Sequence, residues 1–267
     1  MGEVWDGVGA ETAGLVGQVA LVTGAGQGIG RHIALALARQ SATVVVNDVR
    51  ADGKSDETAE AIRRLERSAL VVQADVSQRA QVDGMVERIF AAYGRLDILV
   101  ANAGVNIYQP FLEIEQRVWD LTIGTDLTGV FNCAQAAARA MVARGQGGRI
   151  IVISSVSAET AYATQTHYCA AKAGVQMLAQ GMALELAPHH INVNSVGPGW
   201  VETELTADYL GEPSVRRQVE RTIPWGRVAR PEEVAAVVVF LCSASANYMT
   251  GAHLRLDGGL IAGRTKT

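Results

Sequence analysis

Seven short apolar runs, separated by stretches of helical periodicity, constrain this chain more than any other feature. They lie at 18–23, 43–47, 70–74, 97–101, 149–154, 191–196 and 254–256. They are rich in Val, Ile and Leu and do not alternate with polar residues, as expected of strands buried on both faces. Helical patterns fall near 28–40, 55–68, 78–93, 116–144, 167–187 and 231–243. Pro231-Glu232-Glu233 opens the last of these as a first-turn proline followed by acids. Regular strand–helix alternation requires right-handed crossovers and a parallel sheet. The expected fold class is therefore α/β: a doubly wound parallel sheet of about seven strands with helices on both faces. With 267 residues, 49% hydrophobic, one core is sufficient, and a single domain is expected over 15–267. Residues 1–14, acidic and glycine-rich, are read as an N-terminal extension and a candidate for disorder. The stretch 203–224 is the one sizeable insertion. It falls where strand ends meet ligand in such sheets, and it is read as a substrate lid.

Charge and composition exclude several classes. A net charge of −4 gives no basic nucleic-acid footprint. No apolar run reaches the roughly 18 residues that a membrane span needs. The N-terminus lacks the positive flank and apolar stretch of a signal peptide. Cys133, Cys169 and Cys242 are far apart and odd in number, so neither a disulfide framework nor a zinc site is expected. A cytoplasmic protein without a metal fits best. Cys169 has no evident base partner and is read as a small helix residue.

The first strand runs into Thr23-Gly24-Ala25-Gly26-Gln27-Gly28-Ile29-Gly30, and a helix follows. Four glycines there let the backbone approach a pyrophosphate, whose charge the helix N-terminus favours. The spacing is T-G-x-x-x-G-x-G rather than strict G-x-G-x-x-G. Asp48 ends the second strand, 24 residues past Gly24. A carboxylate there accepts bonds from ribose hydroxyls and repels a 2′-phosphate. Gln27 stands where a cation would grip that phosphate. Both features favour NAD over NADP, although the nearby Arg50 softens the preference and leaves NADP possible.

Tyr168 and Lys172 are four residues apart and share a helix face, with Ser155 thirteen residues before the tyrosine. A fixed ammonium favours the phenolate, which lowers the phenol pKa from about 10 toward neutrality. Such a phenol can exchange a proton with a reacting oxygen near pH 7. A serine hydroxyl aimed at the same oxygen would orient it and share its charge.

Taken together, these motifs resemble those of the short-chain dehydrogenase/reductase family, from about Gly17 to Gly259. The family implies a single-domain Rossmann fold. Asp75-Val76 resembles its adenine-contacting pair, and Ala101-Asn102-Ala103-Gly104 its N-N-A-G with Ala for the first Asn. Pro198-Gly199, with Val201 and Thr203, resembles the segment that contacts nicotinamide; Asp257-Gly258-Gly259 resembles the closing motif. The resemblance implies that Tyr168 is the general acid/base, that Lys172 lowers its pKa and holds the nicotinamide ribose, and that Ser155 holds the substrate oxygen. It also implies a homotetramer. One departure stands out: Thr125-Asp126-Leu127-Thr128-Gly129 places Asp126 where the family usually carries an Asn that completes a proton relay. A carboxylate there would stabilise Lys172 and oppose a phenolate, raising the effective Tyr168 pKa.

The substrate is less constrained. Asn194 to Gly199, Ile223 to Arg227 and Tyr248 to Gly251 resemble sugar and polyol dehydrogenases of the glucose 1-dehydrogenase type. The rival is 3-oxoacyl-carrier-protein reductase, whose members tend to carry two arginines for the acidic carrier. Arg139 matches one position, but Leu184 stands near the other. Substrate contacts are expected from Glu159 and Gln165 to hydroxyl groups, and from Tyr162 and Trp200 by stacking. A third reading, a nucleotide-binding regulator on a dehydrogenase fold, rests on Asp126 alone and has no need of Ser155, Tyr168 and Lys172.

Overall fold

The computed structural model describes residues 14–263. The expected extension over 1–14 therefore lies outside the described residues, Gly14 excepted. Seven parallel strands form one sheet: β1 (Val19–Val22), β2 (Thr43–Asp48), β3 (Ala69–Gln73), β4 (Ile98–Ala101), β5 (Gly148–Ile153), β6 (Ile191–Pro198) and β7 (His253–Leu256). Their order is β3-β2-β1-β4-β5-β6-β7. The order reverses between β1 and β4, where Leu21 pairs with Leu99, and ligands bind beyond the strand ends at such a switch point.

Burial on both sides explains the unbroken apolar runs. Leu21, Val45, Leu99, Ile150 and Val193 face one core, against α3 (Arg79–Tyr93), α5 (Gly129–Arg144) and α6 (Thr166–Leu186). Their neighbours Ala20, Val22, Val44, Val46, Ile98, Val100 and Ile151 face a second core, against α1 (Gly28–Arg39), α2 (Lys54–Arg63) and α9 (Pro231–Cys242). The sheet is thus a double-faced wall, and its C-terminal edge is the platform for the site.

Two elements differ from the sequence reading. The helix expected over 116–144 is interrupted: α4 (Gln116–Ile123) passes through a π-helical turn, Gly124–Thr128, before α5 resumes. A π-turn inserts one residue without ending the helix, so the apolar pattern hardly registers it. It carries Asp126 into the interior. The insertion at 203–224 contains two helices, α7 (Glu204–Leu210) and α8 (Pro213–Thr222). Leu210, Val219, Ile223 and Val228 give this region a small core of its own, against which Trp200 packs.

Candidate active site

A cavity of about 610 Å³ opens at the C-terminal ends of the strands, from the glycine turn after β1 to the loops after β5 and β6. Gly24, Gln27, Gly28, Ile29, Asp48, Asp75, Val76, Asn102, Ala103, Gly104, Pro198, Gly199, Val201 and Thr203 line it, as do Asp126, Ser155, Tyr162, Gln165, Tyr168, Lys172 and Trp200. Gly30 and Glu159 do not.

Gly30 acts from behind. A Cβ on it would stand 2.3 Å from the Gly24 carbonyl oxygen, so only glycine lets α1 begin this close to the turn. Gly24 and Gly28 adopt φ of +62° and +55°, values that side chains rarely tolerate. Asn102 binds the turn from β4, donating to the Thr23 and Gly24 carbonyls at 2.9 and 3.2 Å. No side chain caps the start of α1. Glycines without Cβ atoms, an uncapped helix start and a carboxylate at the end of β2 together fit a dinucleotide whose pyrophosphate lies over the turn.

Asp48 is only 5% exposed, and the nearby Arg50 binds it directly. Arg50 grips both oxygens, Nε to Oδ1 and Nη2 to Oδ2, each at 3.1 Å. Burial opposes ionisation of Asp48, but the bonds and charge of Arg50 outweigh it and hold the carboxyl below its ordinary range. Lys54, which the sequence reading passed over, donates to Gln27 Oε1 at 2.6 Å. Two cations therefore stand here, Arg50 on the carboxylate at the end of β2 and Lys54 on Gln27 of the glycine turn, and Arg50 offsets part of the charge of Asp48.

At the other end, α6 presents Tyr168 and Lys172. Lys172 Nζ lies 5.4 Å from the Tyr168 ring centroid, donates to the Ile153 carbonyl at 3.2 Å and pairs with Asp126 Oδ1 at 3.0 Å. Asp126 Oδ2 accepts the Val105 amide at 2.9 Å. Asp126 is fully buried and Lys172 nearly so. Burial pushes Asp126 upward in spite of Lys172, and Asp126 in turn holds Lys172 upward against the effect of its own burial. A Cβ on Gly104 would lie 2.6 Å from Asp126 Oδ1, so glycine is needed there to admit the pair. Ser155 caps a 3₁₀ turn, its Oγ accepting the Ser157 amide at 3.1 Å, and stands close enough to support a Tyr168 phenolate.

The Tyr168 pKa corrects one expectation. Burial raises it, Lys172 lowers it, and Asp126 raises it again; the result lies above, not below, the ordinary phenol value. The sequence argument counted the ammonium and the upward pull of Asp126, but left out burial, the largest cause.

Glu159 is also placed differently. Its carboxylate does not line the cavity and lies 3.2 Å from His253 Nε2 and 3.7 Å from Arg255 Nε on β7. In its place the structure brings forward Tyr108, Leu121, Glu204 and Leu205, which line the cavity and which no sequence motif marked. They come from loops and short helices whose direction periodicity does not fix. Thr203 lines the cavity and also caps α7, with its amide donating to Thr206 Oγ1 at 3.1 Å.

A family model described as enoyl-(acyl carrier protein) reductase, of the short-chain alcohol dehydrogenase type, matches residues 24–261. L-rhamnose 1-dehydrogenase (NAD(P)+) from Sphingomonas sp. (strain SKA58) is 39% identical over 246 residues, 92% of this chain and 97% of its own length. The crystal structure of a short-chain type dehydrogenase/reductase from Mycobacterium marinum is 40% identical. Its TM-score is 0.89, over 95% of this chain and 99% of its own. A gluconate 5-dehydrogenase from Burkholderia cenocepacia J2315, solved with NADP and tartrate, is 37% identical. Its TM-score is also 0.89, over 94% of this chain and 97% of its own. With this coverage and the motifs set around one cavity, the chain belongs to the short-chain dehydrogenase/reductase family and is an oxidoreductase that works with a nicotinamide nucleotide.

Proposed function

We propose that this enzyme oxidises a secondary or hemiacetal hydroxyl of a sugar or polyol, in a reversible reaction, with NAD⁺ preferred and NADP⁺ accepted. The observation that carries the reading is the convergence of Ser155, Tyr168 and Lys172 on one cavity continuous with the glycine turn. In the oxidative direction Tyr168, as phenolate, accepts the hydroxyl proton of the substrate. Ser155 holds the same oxygen through the change from alcohol to carbonyl. Lys172 fixes the charge beside the phenol and would hold the nucleotide ribose. The bound nicotinamide supplies hydride acceptance at its C4 carbon, and the protein supplies placement and charge.

The sugar assignment draws on relatives named as L-rhamnose 1-dehydrogenase and gluconate 5-dehydrogenase. Gln165 and Tyr162 give the cavity wall polar groups suited to hydroxyls. The cofactor assignment draws on Asp48 for NAD and on Arg50 and Lys54 for tolerance of a 2′-phosphate. The first relative is named for NAD(P)⁺ and the second was solved with NADP. Arg139 lacks a cationic partner at Leu184, which is 80% exposed, and this counts against an acidic carrier protein. Exposed Phe131 on α5 and Met177 and Leu184 on α6 support self-association through these helices, in keeping with a homotetramer. Three unpaired cysteines suit a reducing compartment such as the cytoplasm. Among the described residues no helix is long and apolar enough to cross a membrane.

The test is an absorbance screen of the purified enzyme at 340 nm, a wavelength set by the reduced nicotinamide. Aldoses, aldonates, polyols and a β-ketoacyl thioester are each offered with both nucleotides. Turnover of a sugar or polyol, faster with NAD⁺ but measurable with NADP⁺, is expected. Turnover of the thioester alone would replace this reading with a carrier-linked ketoreductase. Nucleotide binding without turnover of anything would replace it with a regulator.

A further inference from the structure

Three aromatic rings from three separate segments form one ladder at the cavity mouth. Tyr209, near the end of α7, stacks on Tyr108 from the loop after β4, with centroids 6.0 Å apart and planes 12° from parallel. Tyr209 also stacks on Trp200 from the loop after β6, at 5.4 Å and 9°. Tyr108 and Trp200 line the cavity, whereas Tyr209 does not. Trp200 is backed by the small core of the lid region. Asn106 Nδ2 donates weakly to the Tyr108 hydroxyl at 3.5 Å, and the catalytic Tyr168 lies near enough to influence its charge.

Large aromatic rings left half open to water lose hydrophobic stabilisation unless something covers them. Tyr108 and Tyr209 are 44% and 47% exposed. A flat π-face beside a hydrogen-bonding rim is the surface that the C–H face of a ring-shaped polyhydroxy compound fits: its axial hydrogens lie on the ring and its hydroxyls reach the polar rim. Gln165, 7% exposed and on the cavity wall, belongs to that rim. An open-chain polyol presents no such face and would lose conformational freedom on binding.

We propose that Tyr108 and Trp200 are the specificity-determining wall of this enzyme, selecting cyclic over open-chain hydroxy substrates, and that Tyr209 is the positioning residue that holds the wall in place. The proposal rests on the small hydroxy-compound reading above and deepens it. Tyr209 touches neither the cavity nor the reacting groups, so its removal should loosen substrate binding without altering the chemical step.

The experiment measures kcat and KM for pyranose sugars, for cyclohexanol as a ring without sugar hydroxyls, and for open-chain hexitols. Wild type, Tyr209→Ala, Tyr209→Phe and Tyr108→Ala are compared, with melting temperature as the control on folding. Tyr209→Ala is expected to raise KM for ring substrates about threefold to tenfold, the range one aromatic contact gives. Its kcat should stay within about twofold, its KM for hexitols should not change, and Tyr209→Phe should restore the wild-type values. Tyr108→Ala should lower the ring-over-chain ratio of kcat/KM by a similar factor. Equal effects on ring and open-chain substrates, or none on either, would overturn the wall while leaving the sugar reading intact. If only cyclohexanol turns over, and does so with Tyr209 dependence, the wall stands and the sugar reading falls. If hexitols turn over and no ring compound does, the wall falls and the polyol reading stands; if nothing turns over, both fall.

Discussion

Asp126 holds Lys172 at 3.0 Å and the Val105 amide at 2.9 Å, with no water access. Its charge reaches Tyr168 by two routes: it repels the phenolate directly, and it offsets the ammonium that would favour it. Both routes raise the Tyr168 pKa, and Asp126 raises that of Lys172 as well. Oxidation needs the phenolate, so its rate rises as pH climbs through the Tyr168 pKa. In Asp126→Asn the direct repulsion is gone and both values fall, moving the acidic and alkaline limbs of the pH–rate profile to lower pH. The profile of kcat/KM checks this, and an acidic limb that stays in place at unchanged rate would rule out the charge coupling. Tyr168 and Lys172 were legible in the sequence because four-residue spacing on a helix fixes a shared face. The pairing of Arg50 with Asp48 was not, because neighbours in a loop can point either way. Tyr209 was not either, since stacking across three segments leaves no periodic trace.

The glycine turn is an element in which sequence and geometry coincide. β1, Gly24, Gly28 and Gly30 appear in the expected order, and each glycine meets a backbone demand visible as positive φ or close approach. A methyl group at Gly30 would meet the Gly24 carbonyl at 2.3 Å, and backbone cannot yield as a flexible side chain does. Gly30→Ala should therefore push α1 away from the turn, cost about 1–3 kcal/mol of stability and weaken nucleotide binding at least about tenfold. Calorimetric melting and nucleotide titration measure the two effects; wild-type affinity in a folded variant would show that the turn does not hold the cofactor. The strands were readable because burial on both faces leaves them apolar throughout. The π-helical turn escaped notice because one added residue hardly disturbs a 3.6-residue pattern. In the insertion at 203–224, α7 and α8 are short and mostly polar, so their periodicity is weak. Pro213 at the start of α8 and the Glu212 cap were signals that could have found it.

Across the whole molecule, stability and chemistry sit at opposite ends of the strands. Asp97, just before β4, accepts the Val19 amide and Arg95 Nε at 2.8 Å each, and it also binds Arg144 at the end of α5. Burial opposes its ionisation, but these donors prevail and hold its pKa below the ordinary carboxylate value. A lowered pKa contributes stability above the unfolded value of about 3.9, and that contribution is lost as pH falls through the folded value. Asp97→Ala should cost about 2–3 kcal/mol near neutral pH, far less at an acidic pH below the lowered folded pKa of Asp97, and leave kcat within about twofold. Denaturant melts at the two pH values, with rate measurements alongside, test the separation; a large fall in kcat would show that the two ends are coupled. The most direct measurement is turnover of Tyr168→Phe with the best substrate of the screen, alongside nucleotide affinity and melting temperature. A phenyl ring keeps the packing and loses only the hydroxyl, so kcat should fall at least about 100-fold while affinity and melting temperature hold. Turnover within a few-fold of wild type would mean that another group moves the proton and that Tyr168 is not the acid/base of this site.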